Sequence, residues 1–163
     1  MNKEEFPLVS VCIPVFNGEE FIAEALESVK SQAYPNLELI ISDDQSKDGS
    51  KKIIEEFLTT IPFSSKLVTN TDQGIGRNWN NCLPHASGKY IKFLFQDDVL
   101  FPDCVKEMVA FAEADENVGM VFSDRKILLD ESNPLHLNWF KSNGELNRYW
   151  ERPLETGIYP SKR

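Results

Sequence analysis

Leu37–Glu38–Leu39–Ile40–Ile41–Ser42–Asp43–Asp44 is the stretch that decides the fold. A short apolar run of this kind, bounded by turn residues, is a buried strand. It runs without a break into two adjacent acids. Gln45 and Ser46 follow, and Asp48, Gly49 and Ser50 supply helix-start chemistry. Ile53, Ile54, Phe57 and Leu58 then form a helical apolar face. The order is strand, acidic end, helix.

The same succession recurs on either side. Leu8 to Pro14 (LVSVCIP) reads as an earlier buried strand ended by Pro14, with a turn at Asn17 and Gly18. A helical pattern starts at Glu19 and places Phe21, Ile22, Ala25, Leu26 and Val29 on one face, until Tyr34, Pro35 and Asn36 stop it. Lys66 to Thr69 is a weaker third strand. Gln73 to Leu83 is a helix with Ile75, Trp79, Cys82 and Leu83 in register. After the turn at Ser87 and Gly88, Lys89 to Phe95 (KYIKFLF) is a fourth strand, ending at Gln96, Asp97 and Asp98. Pro102 suits the first turn of a helix whose buried stripe is Val105, Met108, Val109 and Ala112. Val118 to Phe122 reads as a fifth strand.

The alternation β-α-β-α-β-α-β-α-β predicts an α/β fold, Rossmann-like, with a mostly parallel sheet and helices on both faces. Ligands in such sheets bind beyond the carboxyl ends of the strands. Asp43 and Asp44 after the second strand, and Asp97 and Asp98 after the fourth, are therefore expected on one rim. Residues 1–130 form the expected core. The rhythm stops after that, and 131–163 is expected to be an irregular segment beginning an acceptor region, with Trp139, Phe140, Tyr149 and Trp150 packing on the domain or an interface in preference to stacking on sugars.

Composition narrows the partners. The chain has 163 residues, 41% of them apolar and 26% charged, as one soluble domain requires. Its 17 basic and 26 acidic residues give a net charge of -9, which repels nucleic-acid backbones and makes a bare phosphate ligand awkward. A divalent cation between carboxylates and phosphate resolves that conflict. No apolar run approaches the ~20 residues of a membrane span. The expected location is the cytoplasm, with peripheral attachment to the inner face of a membrane left open. Cys12, Cys82 and Cys104 match no zinc or redox spacing and are read as reduced structural residues.

Asp97 and Asp98 are two hard oxygen donors at a strand tip, suited to Mg²⁺ or Mn²⁺ bridging a diphosphate. A solvated loop or a helix-capping acid is the alternative. Asp43 or Asp44 could accept from a base N–H or a ribose hydroxyl, or be a turn acid. Gly74 and Gly76 would let backbone approach a ligand closely, with Arg77 facing phosphate. His85 and His136 are assigned no role. Gly74–Ile75–Gly76–Arg77–Asn78–Trp79 also begins like a dinucleotide motif, but Trp79 stands where the third glycine belongs and the motif follows the third strand, not the first.

Taken together, these segments resemble a known family. Val9 to Gly18 resembles the opening of inverting family 2 glycosyltransferases of the GT-A fold, and Leu39 to Ser50 resembles their VVDDGSTDGT segment. Gly74, Gly76, Arg77 and Asn78 match the glycine and Arg-Asn segment. Ala86, Gly88, Lys89, Tyr90, Ile91 and the Asp97–Asp98 tail match the stretch before the metal-binding acids. The resemblance covers roughly residues 8 to 124 and implies a nucleotide-sugar donor, with UDP expected, and a divalent metal, Mn²⁺ or Mg²⁺. It also implies transfer with inversion to a hydroxyl of a saccharide or lipid-linked saccharide acceptor, in polysaccharide assembly at the cell envelope. By that resemblance Pro14, Val15 and Phe16 line the base and ribose, with Asn17 bordering them. Asp44 takes the base edge with Asp43 beside it, Gly74 and Arg77 approach the base or phosphate, Asp97 lies at the ribose or sugar, and Asp98 holds the metal. Two departures stand out. Phe95 occupies the place of the family's first acid. The family's catalytic base, often an acidic pair well beyond the fifth strand, has no convincing match, because Asp130–Glu131 lies too close. A donor-binding module without catalysis is the second expectation.

Overall fold

The computed structural model describes residues 6–123. Within Met1–Ala110, the first of two compact units, four parallel strands form one sheet: β1 (Val9–Val15), β2 (Leu37–Asp43), β3 (Ser64–Thr69) and β4 (Tyr90–Phe93). The strand order is β3-β2-β1-β4. Between them run α1 (Ile22–Lys30), α2 (Ser50–Leu58) and α3 (Ile75–Cys82), the last followed by a single 3₁₀ turn, Leu83–His85. The helix α4 (Cys104–Glu113) follows β4.

β1 and β2 are buried along their whole length, as central strands covered on both faces must be. One face carries Val9, Val11, Ile13 and Val15 with Leu37, Leu39 and Ile41, packed under Ile22, Leu26 and Val29 of α1, Ile54 of α2, and Val105 and Val109 of α4. Each fully buried Ile or Leu contributes about 1.5–3 kcal/mol, so this layer supplies most of the core. The opposite face lies under α3 and is smaller and more polar. Cys12, Ile40 and Cys82 pack there with Phe93, and Ser10, Glu38 and Ser42 are buried beside them. A hydrogen bond with Cys82, together with burial, holds the Cys12 thiol far above its ordinary range, so it stays protonated. All three cysteines are free.

Several expected boundaries move for identifiable reasons. Pro14 does not end β1, which continues through Pro14↔Ser42 and Val15↔Asp43. Val9 and Val15 bond toward β2, whereas Cys12 accepts from Leu94 N–H on the β4 side. By alternation Pro14 faces the β4 side just past the last ladder pair, Cys12↔Phe93. Its missing N–H removes the next rung, to Leu94 C=O, so Pro14 ends the β4 ladder without ending β1. β3 begins two residues early, at polar Ser64, because an edge strand needs only one paired side. α1 starts at Ile22, since Gly18 C=O accepts from both Phe21 and Ile22 N–H and makes the preceding residues a turn. Phe21 is consequently exposed. α3 is rotated from the expected register: Asn78 and Cys82 are buried, while Ile75 is 77% exposed and Leu83 is also open.

The second unit begins at Phe111. Its described part ends α4 and turns at Asp115, whose carboxylate accepts from Asn117 N–H and side-chain NH₂. Val118–Phe122 forms no strand. Gly119 weakens the run, and no other strand is described in that unit to pair with it. The expected boundary at 130/131, with Asp130, Glu131, His136 and the four later aromatic residues, lies outside the described residues. Among those described, no helix is long and apolar enough to cross a membrane.

Candidate functional site

β1 is flanked by β2 on one side and β4 on the other, all parallel, so the acids after β2 and β4 emerge at the same edge. The sheet order reverses between β1 and β4, which is where open α/β sheets leave a crevice for ligands. Both acidic ends are fastened to one dipeptide there. Asp44 N–H donates to Val15 C=O at 2.8 Å. Gln96, directly before Asp97, accepts from Phe16 N–H at 2.8 Å and donates to Phe16 C=O at 3.2 Å. A Cβ on Gly18 would lie 2.6 Å from Gln96 Oε1, so glycine at that position leaves room for this bridge.

The two acidic pairs differ in kind. Asp44 is 6% exposed. Its Oδ1 accepts from Asn70 side-chain NH₂ at 2.6 Å and its Oδ2 from Gly74 N–H at 3.0 Å. Its backbone carbonyl accepts from Gln73 side-chain NH₂. A carboxylate has about four lone-pair positions, so Asp44 can take a further donor while held rigidly. Asp43 is also buried; its carboxylate accepts from Ser46 N–H and its carbonyl from Asn70 N–H. Asp97 and Asp98 are exposed, in a turn closed by Asp98 N–H donating to Phe95 C=O.

The loop after β1 and the loop after β2 clasp each other. Asn17 N–H donates to Ser46 Oγ, and Asn17 Oδ1 accepts from Lys47 N–H. Gly18 N–H donates to Ser50 Oγ and Glu19 N–H to Asp48 Oδ2, while Glu19 Oε2 accepts from Gly49 N–H. Burial acts upward on the Asp48 carboxyl, but hydrogen bonds from Ser50 and from backbone N–H groups outweigh it and hold it below its ordinary value. The Asn17 side-chain oxygen is thus occupied within the clasp, with the backbone at φ 48°. Pro14 and Val15 are buried, and Val15 lies wholly in the core, so only its backbone reaches the rim. Phe16 is 49% exposed beside Gln96. Gly74 caps α3 at φ 138°, a conformation that favours glycine. Arg77 lies on the exposed first turn of α3 and pairs with Asp72 at 2.8 Å.

Residues that the sequence did not single out as ligand-binding complete the frame. Asn78, 3% exposed, accepts from Ser42 Oγ at 2.6 Å and donates to Val15 C=O at 3.1 Å. Asn81 donates to the same Ser42 Oγ at 2.9 Å. Asn70 and Gln45 tie the end of β3 to the acids, Gln45 donating to Asn70 C=O from a left-handed backbone at φ 63°. Asparagine straight after a strand was the available signal for Asn70; Asn78 stands in the matched Arg-Asn segment, but the apolar register of α3 leaves it without a role. Among the described residues no three or more His, Cys, Asp or Glu side chains gather as a metal cluster.

Known proteins resemble the chain as follows. A family model described as "Glycosyl transferase family 2" matches residues 10–162. EpsE of Bacillus subtilis, a glycosyltransferase by assignment in its name, is 38% identical over 116 residues, which are 71% of this chain and 42% of that protein. The mannosyltransferase PcManGT from Pyrobaculum calidifontis, solved in complex with GDP-Man and Mn²⁺, has a TM-score of 0.66 at 28% identity, covering 72% of this chain and 35% of its own. TarS 1–349 of S. aureus, solved with UDP-GlcNAc, has a TM-score of 0.61 at 28% identity, covering 66% and 31%. The chain spans less than half the length of the curated relatives it matches first.

Proposed function

The chain belongs to glycosyl transferase family 2, and on that premise we propose that it forms the donor site of a glycosyltransferase, binding a nucleoside-diphosphate sugar together with Mn²⁺ or Mg²⁺. The observation that carries this reading is the fastening of both acid-bearing turns to Val15–Phe16, where the sheet order reverses. The buried, doubly anchored Asp44 suits a base N–H, with Asp43 holding the turn beside it. Phe16 offers an exposed aromatic face to the base, and Pro14, Val15 and Asn17 shape the backbone around it. Gly74 and Arg77 stand at the open end of α3 toward the phosphates. Asp97 faces the ribose or donor sugar, and Asp98 takes the cation.

The donor set fits such a cation. Asp98 is exposed and enters no ion pair among the described residues. Mg²⁺-type ions bind through one or two carboxylates and complete their shell with phosphate oxygens and water. The bound ion would neutralise the diphosphate as it leaves. In the transfer step an acceptor hydroxyl attacks the anomeric carbon from the side opposite the diphosphate. The new C–O bond forms as the bond to the diphosphate breaks, the bonding pair leaves with the diphosphate, and the hydroxyl proton passes to a carboxylate base. UDP is the first expected nucleotide, because TarS was solved with UDP-GlcNAc at this degree of likeness; GDP is the second, from PcManGT. A saccharide or lipid-linked saccharide is the proposed acceptor. Calorimetry of UDP and GDP, with and without Mn²⁺, tests the donor site. Metal-enhanced binding of one of them is expected, and no binding of either would remove the proposal. Turnover of the bound sugar nucleotide separates a transferase from a module that only binds the donor.

A further inference from the structure

Building on that donor site, we infer that Trp79 of α3 is a positioning residue for the acid turn Phe95–Asp98, so that one short helix sets both halves of the rim. The amino end of α3 belongs to the base half. Gly74 N–H is on Asp44, and Asn78 reaches Val15 and Ser42. The next residue, Trp79, turns to the other half. Its ring stacks on Phe93 at 5.7 Å and 29° and lies 4.8 Å from Phe95 at 36°.

Phe93 is the last ladder residue of β4, and Leu94 N–H makes one more bond, to Cys12 C=O. Beyond it the sheet no longer holds the chain. The turn that carries Asp97 and Asp98 is then fixed by the Trp79 ring on Phe95, by Gln96 on Phe16, and by Asp98 N–H on Phe95 C=O. Trp79 supplies the only one of these contacts that comes from a helix. Phe95 is 37% exposed, a large apolar ring at a polar rim, and its contact with Trp79 accounts for an aromatic residue two positions before the acids. An aromatic pair in offset or tilted contact is directional as well as apolar. It therefore fixes the direction in which the chain leaves β4, and with it the place of the two carboxylates. The geometry makes the acid pair depend on α3, and α3 depends on Asp44.

The test uses the full chain and the variants Trp79→Leu, Trp79→Phe and Phe95→Leu. Backbone amide exchange is followed by NMR without ligand. Trp79→Leu and Phe95→Leu should each exchange Asp98 and Phe16 amides about tenfold faster, while Asp44 and Gly74 amides change less than about twofold; Trp79→Phe should stay within about threefold of the parent. Equal acceleration at all four amides, or none at Asp98 and Phe16, overturns the inference. With UDP and Mn²⁺ as probes, both leucine variants should lose about tenfold of the Mn²⁺-dependent gain in UDP affinity, with metal-free UDP affinity, which draws on Asp97 and Phe16, falling by no more than about threefold. An equal loss with and without Mn²⁺ also overturns it. If the parent binds neither UDP nor GDP, the donor reading fails by itself, and the ligand-free exchange still decides the role of Trp79.

Discussion

Replacing Asn78 separates the part of the rim that is structural from the part that recognises a ligand. The side chain is 3% exposed and makes two buried hydrogen bonds, accepting from Ser42 Oγ and donating to Val15 C=O. In Asn78→Ala, Val15 C=O keeps its bond from Asp44 N–H. Ser42 Oγ still accepts from Asn81, but its O–H loses its acceptor. Two net hydrogen bonds of about 0.5–1.5 kcal/mol each, with about 1–3 kcal/mol for an unsatisfied buried donor, overlap in what they count. A loss of about 2–4 kcal/mol is expected, read as a lower urea midpoint at unchanged slope. Asn78→Asp refines the test. The acceptor for Ser42 remains, but at neutral pH a carboxylate oxygen would face Val15 C=O, which also has no proton to give. Burial and that carbonyl raise the folded-state pKa of the new carboxyl above its unfolded value. The protonated acid can donate to Val15 C=O, so its stabilisation is present below the unfolded pKa and is lost as pH rises through the folded one. Asn78→Asp should therefore be the less stable variant at pH 7 and recover relative to Asn78→Ala on acidification. A midpoint shift worth less than about 0.5 kcal/mol for Asn78→Ala, or no pH dependence of the difference, would refute this account.

Other substitutions probe the remaining parts. Asp98→Asn, at an exposed residue, should leave stability within about 0.5 kcal/mol while removing about tenfold or more of the Mn²⁺-dependent gain in UDP affinity, measured by calorimetry. Gly76→Ala should raise the melting temperature slightly, since a Cβ there meets nothing within 4 Å and alanine favours a helix over glycine by about 0.5–1 kcal/mol; a simultaneous loss of UDP affinity would mean that the open space belongs to the ligand. Glu38 lies at the opposite end of the sheet. Burial acts to raise its carboxyl, but hydrogen bonds from Ser10, Ser87 and Gly88 outweigh burial and lower it below the ordinary 4.5. Its stabilisation is present above that value and is lost as pH falls through the lower folded value. Glu38→Gln should cost about 2 kcal/mol at pH 7, with the difference from the parent shrinking below about pH 4.5 in urea titrations.

The sequence made the frame readable where burial is nearly complete. β1 and β2 are uniform apolar runs because both their faces are covered, and nothing but a parallel sheet accommodates two such runs separated by an amphipathic helix. From that frame the shared rim of Asp43, Asp44, Asp97 and Asp98 followed by topology. The errors fall where one side of an element is polar or open. β3 begins in Ser64–Ser65 because an edge strand is not written in apolar residues. The register of α3 departs from the apolar pattern because its buried face carries Asn78, which apolar periodicity does not detect. Val118–Phe122 has strand composition but no described partner, and composition alone does not supply one. Within the candidate site, residue types pointed to the acids and glycines. They could not show that Asn17 spends its side-chain oxygen on Lys47 N–H, or that Val15 faces the core, since both depend on which loop lies opposite.

The unequal burial of the two acid pairs has a physical consequence for the order of binding. On the donor-site reading, Asp44 is already held by Asn70 and Gly74 N–H, so recognition of a base needs little rearrangement and carries little entropic cost. Asp98 is exposed, and one or two solvated carboxylates without phosphate ligands bind a divalent ion weakly in water. The diphosphate brings the missing ligands and a negative charge of its own. Cation and nucleotide should therefore bind with positive coupling, each raising the affinity of the other by the same factor, and the Mn²⁺ affinity of the nucleotide-free chain should be too weak to saturate where the nucleotide complex is saturated. A chain that bound Mn²⁺ equally well with and without UDP would have its cation site elsewhere than at Asp98 beside the diphosphate.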